Sequence, residues 1–467
     1  MNQLKFLLLF VMCIVFVENT YATNDTLSVK PFGKLVLYKP KNPERLVLFI
    51  SGDGGWNKGM DNMAKQCRDD KTLVIGIDMR SLMKNLQQRK QSCLYPAADF
   101  ENLSKLIQKK MGFHEYYQPL LVGFSSGATL VYGLLAQSPA NTFRGGVVLG
   151  FCPDMALDRP LCKGSGLECH PWKKGCGYDL QPVSKLSNLM ISLQGTVDKV
   201  CDFSATTNFL KQVGNTEEVI LKNVGHGYSI EKNWVPQFHA AVEKLLIPIV
   251  IAPVHKVQQG DAGNDLPLIL NLSPKDDSMP LVFLISGDGG WTGFDQGFAT
   301  GMTMKGMPVI GLDALKYFWT ESSPSKTTKD IVPVIRYYMN LWHREDIVLA
   351  GYSFGADAMP FIYQQLPNDI KEKVKSLVLL SPSTSADFEI HVSDMLSIGS
   401  SSDDYDVAKS LRQLKGPELV ALFGEDEEPW TRTALTPTQC RTVVIPGGHH
   451  FNDDYNALTN EVLKTLH

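Results

Sequence analysis

The chain has 467 residues, of which 44% are apolar and 20% charged, with a formal charge of −4. That length suits two ordinary domains, and that composition excludes a disordered chain. A slightly acidic chain without a long basic tract also argues against nucleic acid as a partner.

In chain order, the first feature is an apolar run from Phe6 to Val17, preceded by Lys5 and followed by small residues near Ala22. It reads as a secretory signal peptide over residues 1–22; the alternative, an uncleaved anchor, is disfavoured because the run is short for a full span. Cys13 lies within this run and lacks the neighbours of a lipidation signal. Short, almost wholly apolar runs then alternate with longer helical stretches. Strands are expected at 46–51, 73–78, 119–123, 145–150, 189–194 and 218–222. A second series is expected at 281–286, 308–312, 346–350, 376–381, 418–423 and 441–445. Runs apolar on both faces suit strands covered on both sides, and segments such as PAADFENLSKLIQKKMG and TTKDIVPVIRYYMNLWH suit the covering helices. The expected fold class is α/β: two tandem α/β-hydrolase-like domains, each a mainly parallel, doubly wound sheet flanked by helices.

The two series share landmarks in one order. Ser-Gly-Asp-Gly-Gly-Trp begins at Ser51 and again at Ser286. VIGIDMR at Val74 matches VIGLDAL at Val309, and GGVVLGFCP at Gly145 matches SLVLLSPS at Ser376. LMISLQGTVDKV at Leu189 matches LVALFGEDEEPW at Leu419, and LKNVGHGYS at Leu221 matches VVIPGGHHFND at Val443. The polar stretch QQGDAGND reads as the linker, giving domains over 23–258 and 259–467. A Cys-rich insertion at 152–188 interrupts the first domain, and its counterpart at 382–416 is rich in Ser and Asp; insertions placed so often cap a site. Of nine cysteines, seven lie in the mature first domain and only Cys440 in the second. Export makes disulfides the default, with connectivity open and at least one thiol left over. His170 beside Cys169 suggests zinc, but the spacing fits no standard zinc pattern. No metal or cofactor is expected.

Gly-x-Ser-x-Gly occurs twice, with Ser125 and Ser353 at its centre, each time after an apolar strand and before a helix. That context is a nucleophile elbow, where a sharp turn lifts the hydroxyl to the sheet's carboxyl edge. A serine needs a base, and in this fold the chain order is Ser, acid, His. The first domain provides Ser125, Asp198 and His226; the second provides Ser353, His449 and a carboxylate from GEDEE, where Glu427 and Asp426 stand equal. His449 is preferred to His450 because it aligns with His226. The loop after the first strand of each parallel series usually supplies one oxyanion N–H, and the residue after the nucleophile the other. Candidates are Asp53 and Ser126, with Gly54 as alternative, and Asp288 and Phe354, with Gly289 as alternative. Trp56 and Trp291 are candidate walls of an acyl pocket, with ordinary packing as the other reading.

The segments FLISGDGGW, GYSFGAD and PGGHHF of the second half resemble the VirJ/AcvB family of bacterial virulence proteins, and the exported two-domain layout is similar as well. The resemblance implies a periplasmic α/β-hydrolase acting on a membrane lipid, aminoacyl-phosphatidylglycerol, chiefly its lysyl form. It implies type IV secretion components as partners, Ser353 as nucleophile and His449 as base. The competing expectations are an esterase or thioesterase for another acyl group, and a non-catalytic periplasmic secretion-accessory or binding protein.

Overall fold

The computed structural model describes residues 25–247, 266–273, 279–391, 405–435 and 438–466. The expected signal peptide, the QQGDAGND linker and the domain boundary lie outside the described residues, as do residues 392–404 of the second insertion.

The first sheet is built from β1 (Asp25–Val29), β2 (Gly33–Tyr38), β3 (Arg45–Ile50), β4 (Thr72–Ile77), β5 (Leu120–Phe124) and β6 (Gly145–Leu149). After an insertion with β7 (Asp154–Met155), β8 (Cys169–Pro171) and β9 (Tyr178–Leu180), it is completed by β10 (Met190–Gly195) and β11 (Thr216–Leu221). The order is β1-β2-β4-β3-β5-β6-β10-β11, while β7, β8 and β9 form a small sheet of their own. From β4 to β11 neighbours are parallel; β1 and β2 are antiparallel additions at the edge.

The second sheet repeats the plan with β12 (Leu268–Asn271), β13 (Leu281–Ile285), β14 (Val309–Leu312), β15 (Ile347–Tyr352), β16 (Val374–Leu380), β17 (Glu418–Gly424) and β18 (Arg441–Ile445). Its order is β12-β14-β13-β15-β16-β17-β18, parallel except for β12. The twelve expected strands are therefore present, and the apolar runs did not announce the edge strands β1 and β12 or β2, which lies next to β1. Each sheet is buried on both faces by separate apolar clusters, as parallel sheets require.

Helix Pro96–Lys110 shows how the covering layer is specified. Pro96 stands in its first turn, Asp99 lies near the N-terminus and Lys109 and Lys110 near the C-terminus, while Phe100, Leu103 and Ile107 face inward. Its outer end docks on the second domain. Lys109 pairs with Glu389 at 2.8 Å, and Trp319 Nε1–H donates to the Phe113 carbonyl at 2.8 Å. Tyr116 of the first half packs within the second domain's core, its ring 5.3 Å from that of Trp319.

Disulfides join Cys93 to Cys162 and Cys152 to Cys201. Both anchor the insertion, one to the segment before helix Pro96–Lys110 and one to the loop after β10. Cys67, Cys169, Cys176 and Cys440 are free thiols. Among the described residues no helix is long and apolar enough to cross a membrane.

Candidate active sites

Both Gly-x-Ser-x-Gly segments form strand-to-helix elbows. Ser125 joins β5 to helix Ser126–Gln137 at φ 57°, ψ −125°, and Ser353 joins β15 to helix Phe354–Gln365 at φ 50°, ψ −117°. Such a backbone is disfavoured for any side-chain-bearing residue and persists because the surroundings enforce it. The flanking glycines are required by contact. A Cβ on Gly127 would meet the Ser51 carbonyl oxygen at 2.4 Å, and one on Gly355 the Ile285 carbonyl oxygen at 2.2 Å.

In the first domain the three expected groups converge. His226 Nε2 lies 2.9 Å from Ser125 Oγ, and His226 Nδ1 lies 2.8 Å from Asp198 Oδ2. The other oxygen of Asp198 accepts the N–H groups of Val200 at 2.8 Å and Cys201 at 2.9 Å. An acceptor-only carboxylate assigns the proton to Nδ1, which leaves Nε2 free to accept the serine proton. Cys201 belongs to the Cys152–Cys201 disulfide, so the acid loop is tied covalently to the segment after β6. Phe124 packs on the His226 ring with centroids 5.3 Å apart, and Tyr228 meets Phe124 edge-on at 5.9 Å. Its hydroxyl donates to the Leu193 carbonyl at 2.6 Å and accepts the Gly150 N–H at 2.8 Å.

The second domain brings together only part of its set. His449 Nδ1 lies 2.6 Å from Glu427 Oε1, and Glu427 Oε2 accepts the Gly424 N–H at 2.7 Å and the Ser381 hydroxyl at 3.0 Å. Burial pushes the Glu427 carboxyl upward, but the bonds from His449, Gly424 and Ser381 outweigh it and hold the pKa below its ordinary value. Asp426 does not share this place: its side chain is exposed and its N–H is spent on the Gly447 carbonyl. The expected Ser353–His449 hydrogen bond is not formed among the described residues. The His449 side chain is 46% exposed, against 19% for His226. His450 does not take its place, lying exposed with its ring 5.7 Å from Phe294 and 6.0 Å from Tyr352. Burial, then the neighbouring His449, lower its pKa.

The repeated Ser-Gly-Asp-Gly-Gly-Trp loops lie against the elbows. Ser51 Oγ accepts the Met79 N–H at 3.0 Å, and Ser286 Oγ accepts the Ala314 N–H at 2.9 Å, pinning each loop to the neighbouring strand's exit. A Cβ on Gly52 would stand 3.0 Å from Ser125 Cβ, and one on Gly287 3.5 Å from Ser353 Cβ. The N–H groups of Asp53, Gly54 and Ser126 have no intramolecular acceptor among the described residues, and neither do those of Asp288, Gly289 and Phe354. They are available to an oxyanion. The tryptophans differ from the expectation of pocket walls. Trp56 packs onto Gly76 of β4, where a Cβ would come within 2.3 Å of the indole, and Trp291 packs onto Gly311 of β14, where it would come within 2.0 Å. Both indoles therefore brace the loop from the sheet side.

Two acidic features escaped the sequence. Asp154 and Asp179 face each other across β7 and β9. Burial first, then the charges of Asp179 and Asp53, raise the Asp154 pKa, which places a carboxylate cluster beside the first oxyanion loop. In the second domain Asp357, one turn after Ser353, is buried and held by the Ser383 N–H and hydroxyl; burial pushes its pKa up to about 8.

The sequence model of the family described as bacterial virulence protein (VirJ) matches residues 44–146 and 279–467, together more than half the chain. It thus meets both halves. Among solved structures, the chain is similar to an α/β serine hydrolase homologue from Coxiella burnetii, with 17% identity over 48% of this chain and 99% of that one, TM-score 0.32. It is similar to a thermophilic esterase from Thermogutta terrifontis, with 14% identity over 50% of this chain and 96% of that one, TM-score 0.34. An esterase from Butyrivibrio proteoclasticus shows 12% identity over 48% of this chain and 97% of its own, TM-score 0.31. No curated protein matches.

Proposed function

The chain belongs to the VirJ family of bacterial virulence proteins, and from that premise we propose that it is an exported, periplasmic serine ester hydrolase that removes the aminoacyl group from aminoacylated phosphatidylglycerol, chiefly the lysyl form. The observation that carries the chemistry is the hydrogen-bonded series Ser125–His226–Asp198. Ser125 Oγ attacks the ester carbonyl while His226 Nε2 takes its proton. The oxyanion formed lies against the N–H groups of Asp53 and Ser126. Collapse expels the glycerol oxygen of phosphatidylglycerol, which takes the proton back from His226. Water, deprotonated by the same nitrogen, then releases the amino acid and restores Ser125.

The substrate class is supported by charge. An aminoacyl ester presents an ammonium group beside the reacting carbonyl. Asp154 faces Asp179 across β7 and β9 and feels the charge of Asp53 in the first oxyanion loop, and a bound cation would relieve that repulsion. The two disulfides suit an oxidising compartment.

The test uses the purified mature chain with vesicles containing lysyl-phosphatidylglycerol, and mass spectrometry of the products. Free lysine and intact phosphatidylglycerol are expected, with loss of both in Ser125→Ala. Release of fatty acid would refute the headgroup assignment, and undiminished turnover by Ser125→Ala would refute the nucleophile.

A further inference from the structure

Beyond the first site, we propose that Lys105, a residue of the first domain, is a positioning residue for the second elbow: its ammonium group holds the middle peptide of the second Ser-Gly-Asp-Gly-Gly-Trp loop, so that the Gly289 N–H stays free for an oxyanion formed at Ser353.

The two loops share one turn. Gly55 N–H donates to the Gly52 carbonyl at 2.9 Å, and Gly290 N–H to the Gly287 carbonyl at 3.0 Å. The closing glycines have positive φ, 68° and 79°, whereas Gly54 and Gly289, one place earlier, do not. The type I and type II forms of such a turn differ by a flip of the middle peptide, and type II needs positive φ at the third residue. Neither loop is therefore in the type II form. Glycine at the third place permits either form. The turn alone thus leaves the middle peptide, Asp53–Gly54 or Asp288–Gly289, free to flip.

That peptide decides one oxyanion donor, because the carbonyl and N–H of a trans peptide point opposite ways. The Asp288 N–H lies opposite the Gly287 carbonyl, which the closing bond of the turn already pins. The Gly289 N–H lies opposite the Asp288 carbonyl. A flip would exchange the two and set an acceptor where the oxyanion needs a donor.

The first domain acts on that carbonyl. Lys105 Nζ lies 3.5 Å from the Asp288 carbonyl oxygen, long for a hydrogen bond, but the lysine side chain is only 3% exposed, so water screens the attraction little. Glu101 Oε1, one turn earlier on helix Pro96–Lys110, holds the same ammonium at 2.9 Å. Asn141, also of the first domain, donates from Nδ2 to the Trp291 carbonyl at 3.0 Å and ties down the far end of the loop. The Asp53 carbonyl of the first loop accepts no intramolecular hydrogen bond among the described residues. One loop stands by itself, and the other is braced across the domain interface. Without the ammonium, the Asp288 carbonyl loses its partner. Glu101 Oε1, 3.9 Å from where a Cβ on Gly289 would stand, is then left as an acceptor for the flipped Gly289 N–H.

The experiment is labelling of the full mature chain by a serine-directed fluorophosphonate, whose phosphoryl oxygen takes the oxyanion's place, with each serine quantified by peptide mass. Ser125 in the same chain is the internal standard. Lys105→Met keeps an apolar stem and removes the charge. It should lower the maximal labelling rate of Ser353 about 10-fold, short of the ~10²–10³ lost with an oxyanion donor outright. The half-saturating concentration and the pH midpoint of that labelling should stay as they are, because the charge develops only in the transition state and the base is untouched. Ser125 should label as before. Glu101→Gln combined with Lys105→Met leaves no unpaired carboxylate, which serves if the single variant fails to fold, and should lower the Ser353 rate likewise. Because a working Ser353 adds its own turnover, ester hydrolysis by the first triad is read in a Ser353→Ala chain. Wild-type labelling of Ser353 in the folded variant overturns the proposal. So does an equal loss at Ser125, the mark of general loosening. A wild-type chain in which Ser353 takes no label also overturns it, and leaves the reading of Ser125 untouched.

Discussion

Replacing Asp198 by Asn tests the first site through one proton. In the native site Oδ1 accepts two backbone N–H groups, from Val200 and Cys201, and Oδ2 accepts His226 Nδ1–H. An asparagine must keep its carbonyl oxygen toward the two N–H groups, because the flipped amide would set its NH2 against both donors. Leaving the buried Cys201 donor and the part-buried Val200 donor unpaired costs roughly 2–6 kcal/mol. The NH2 therefore faces the ring, Nδ1 becomes the acceptor, and Nε2 carries the proton that it should receive from Ser125. Only a fraction on the order of 3% or less retains the working tautomer, from the low end of that flipping cost. The expected loss in kcat is about 10⁴-fold, the size found when the same change is made in other serine triads, or ~5 kcal/mol of barrier. The assay is hydrolysis of a chromogenic acetyl ester near neutral pH, with thermal unfolding as the control for folding. An Asp198→Asn chain with native stability that keeps more than about a tenth of its kcat would refute the tautomer argument, since a properly placed base is worth at least about 10²-fold.

Gly311→Ala places a methyl group within 2.0 Å of the Trp291 ring and should destabilise the chain by ~1–3 kcal/mol through overpacking; an unchanged urea midpoint would mean that the indole does not brace the loop from the sheet. Asp357 has a folded pKa of about 8 against an ordinary 3.8. Its contribution to stability is full below the unfolded value and declines as pH rises from about 4 through about 8. Asp357→Asn should flatten that decline in urea midpoints, and parallel profiles for the two chains would show that the carboxyl ionises normally.

The parallel strands were legible because each is a nearly unbroken apolar run, and their order fixed where the elbows, acids and histidines would emerge. The antiparallel strands at the edges were not. GKLVLY of β2 mixes exposed with buried positions and LILN of β12 is a four-residue strand with none fully buried, so they lack the signature of a strand covered on both faces. For the tryptophans the sequence left pocket wall and ordinary packing open, although a signal for packing existed. VIGI and VIGL each place a glycine within an apolar strand, and a glycine there marks close approach by another group. That group is Trp56 in one domain and Trp291 in the other. The open second triad was beyond reach of motif reasoning. Ser353, Glu427 and His449 have suitable types and order, but residue types and order do not say whether the His449 ring meets the serine as well as the acid.

The same contrast extends below the histidines, where the two domains hold one hydroxyl in different places. The aromatic pair preceding the nucleophile and following the histidine is Phe124 and Tyr228 in the first domain, Tyr352 and Phe451 in the second. Tyr228 Oη inserts between the Gly150 N–H, at 2.8 Å, and the Leu193 carbonyl, at 2.6 Å, where the direct bond is stretched to 3.4 Å. Phe451 has no hydroxyl to insert, and the matching bond from Ser381 to Leu422 closes to 2.8 Å. Tyr352 Oη instead reaches the His449 carbonyl at 3.4 Å. In the first domain, then, the strand ends are wedged apart beside a glycine, and the imidazole occupies the room so made. In the second they are closed beside a serine, and the imidazole of His449 is the more exposed of the two. The glycine, the wedge and the shorter acid of the first domain act on the same few ångströms of space, and the second domain differs from it at all three: Ser381 for Gly150, Phe451 for Tyr228 and Glu427 for Asp198.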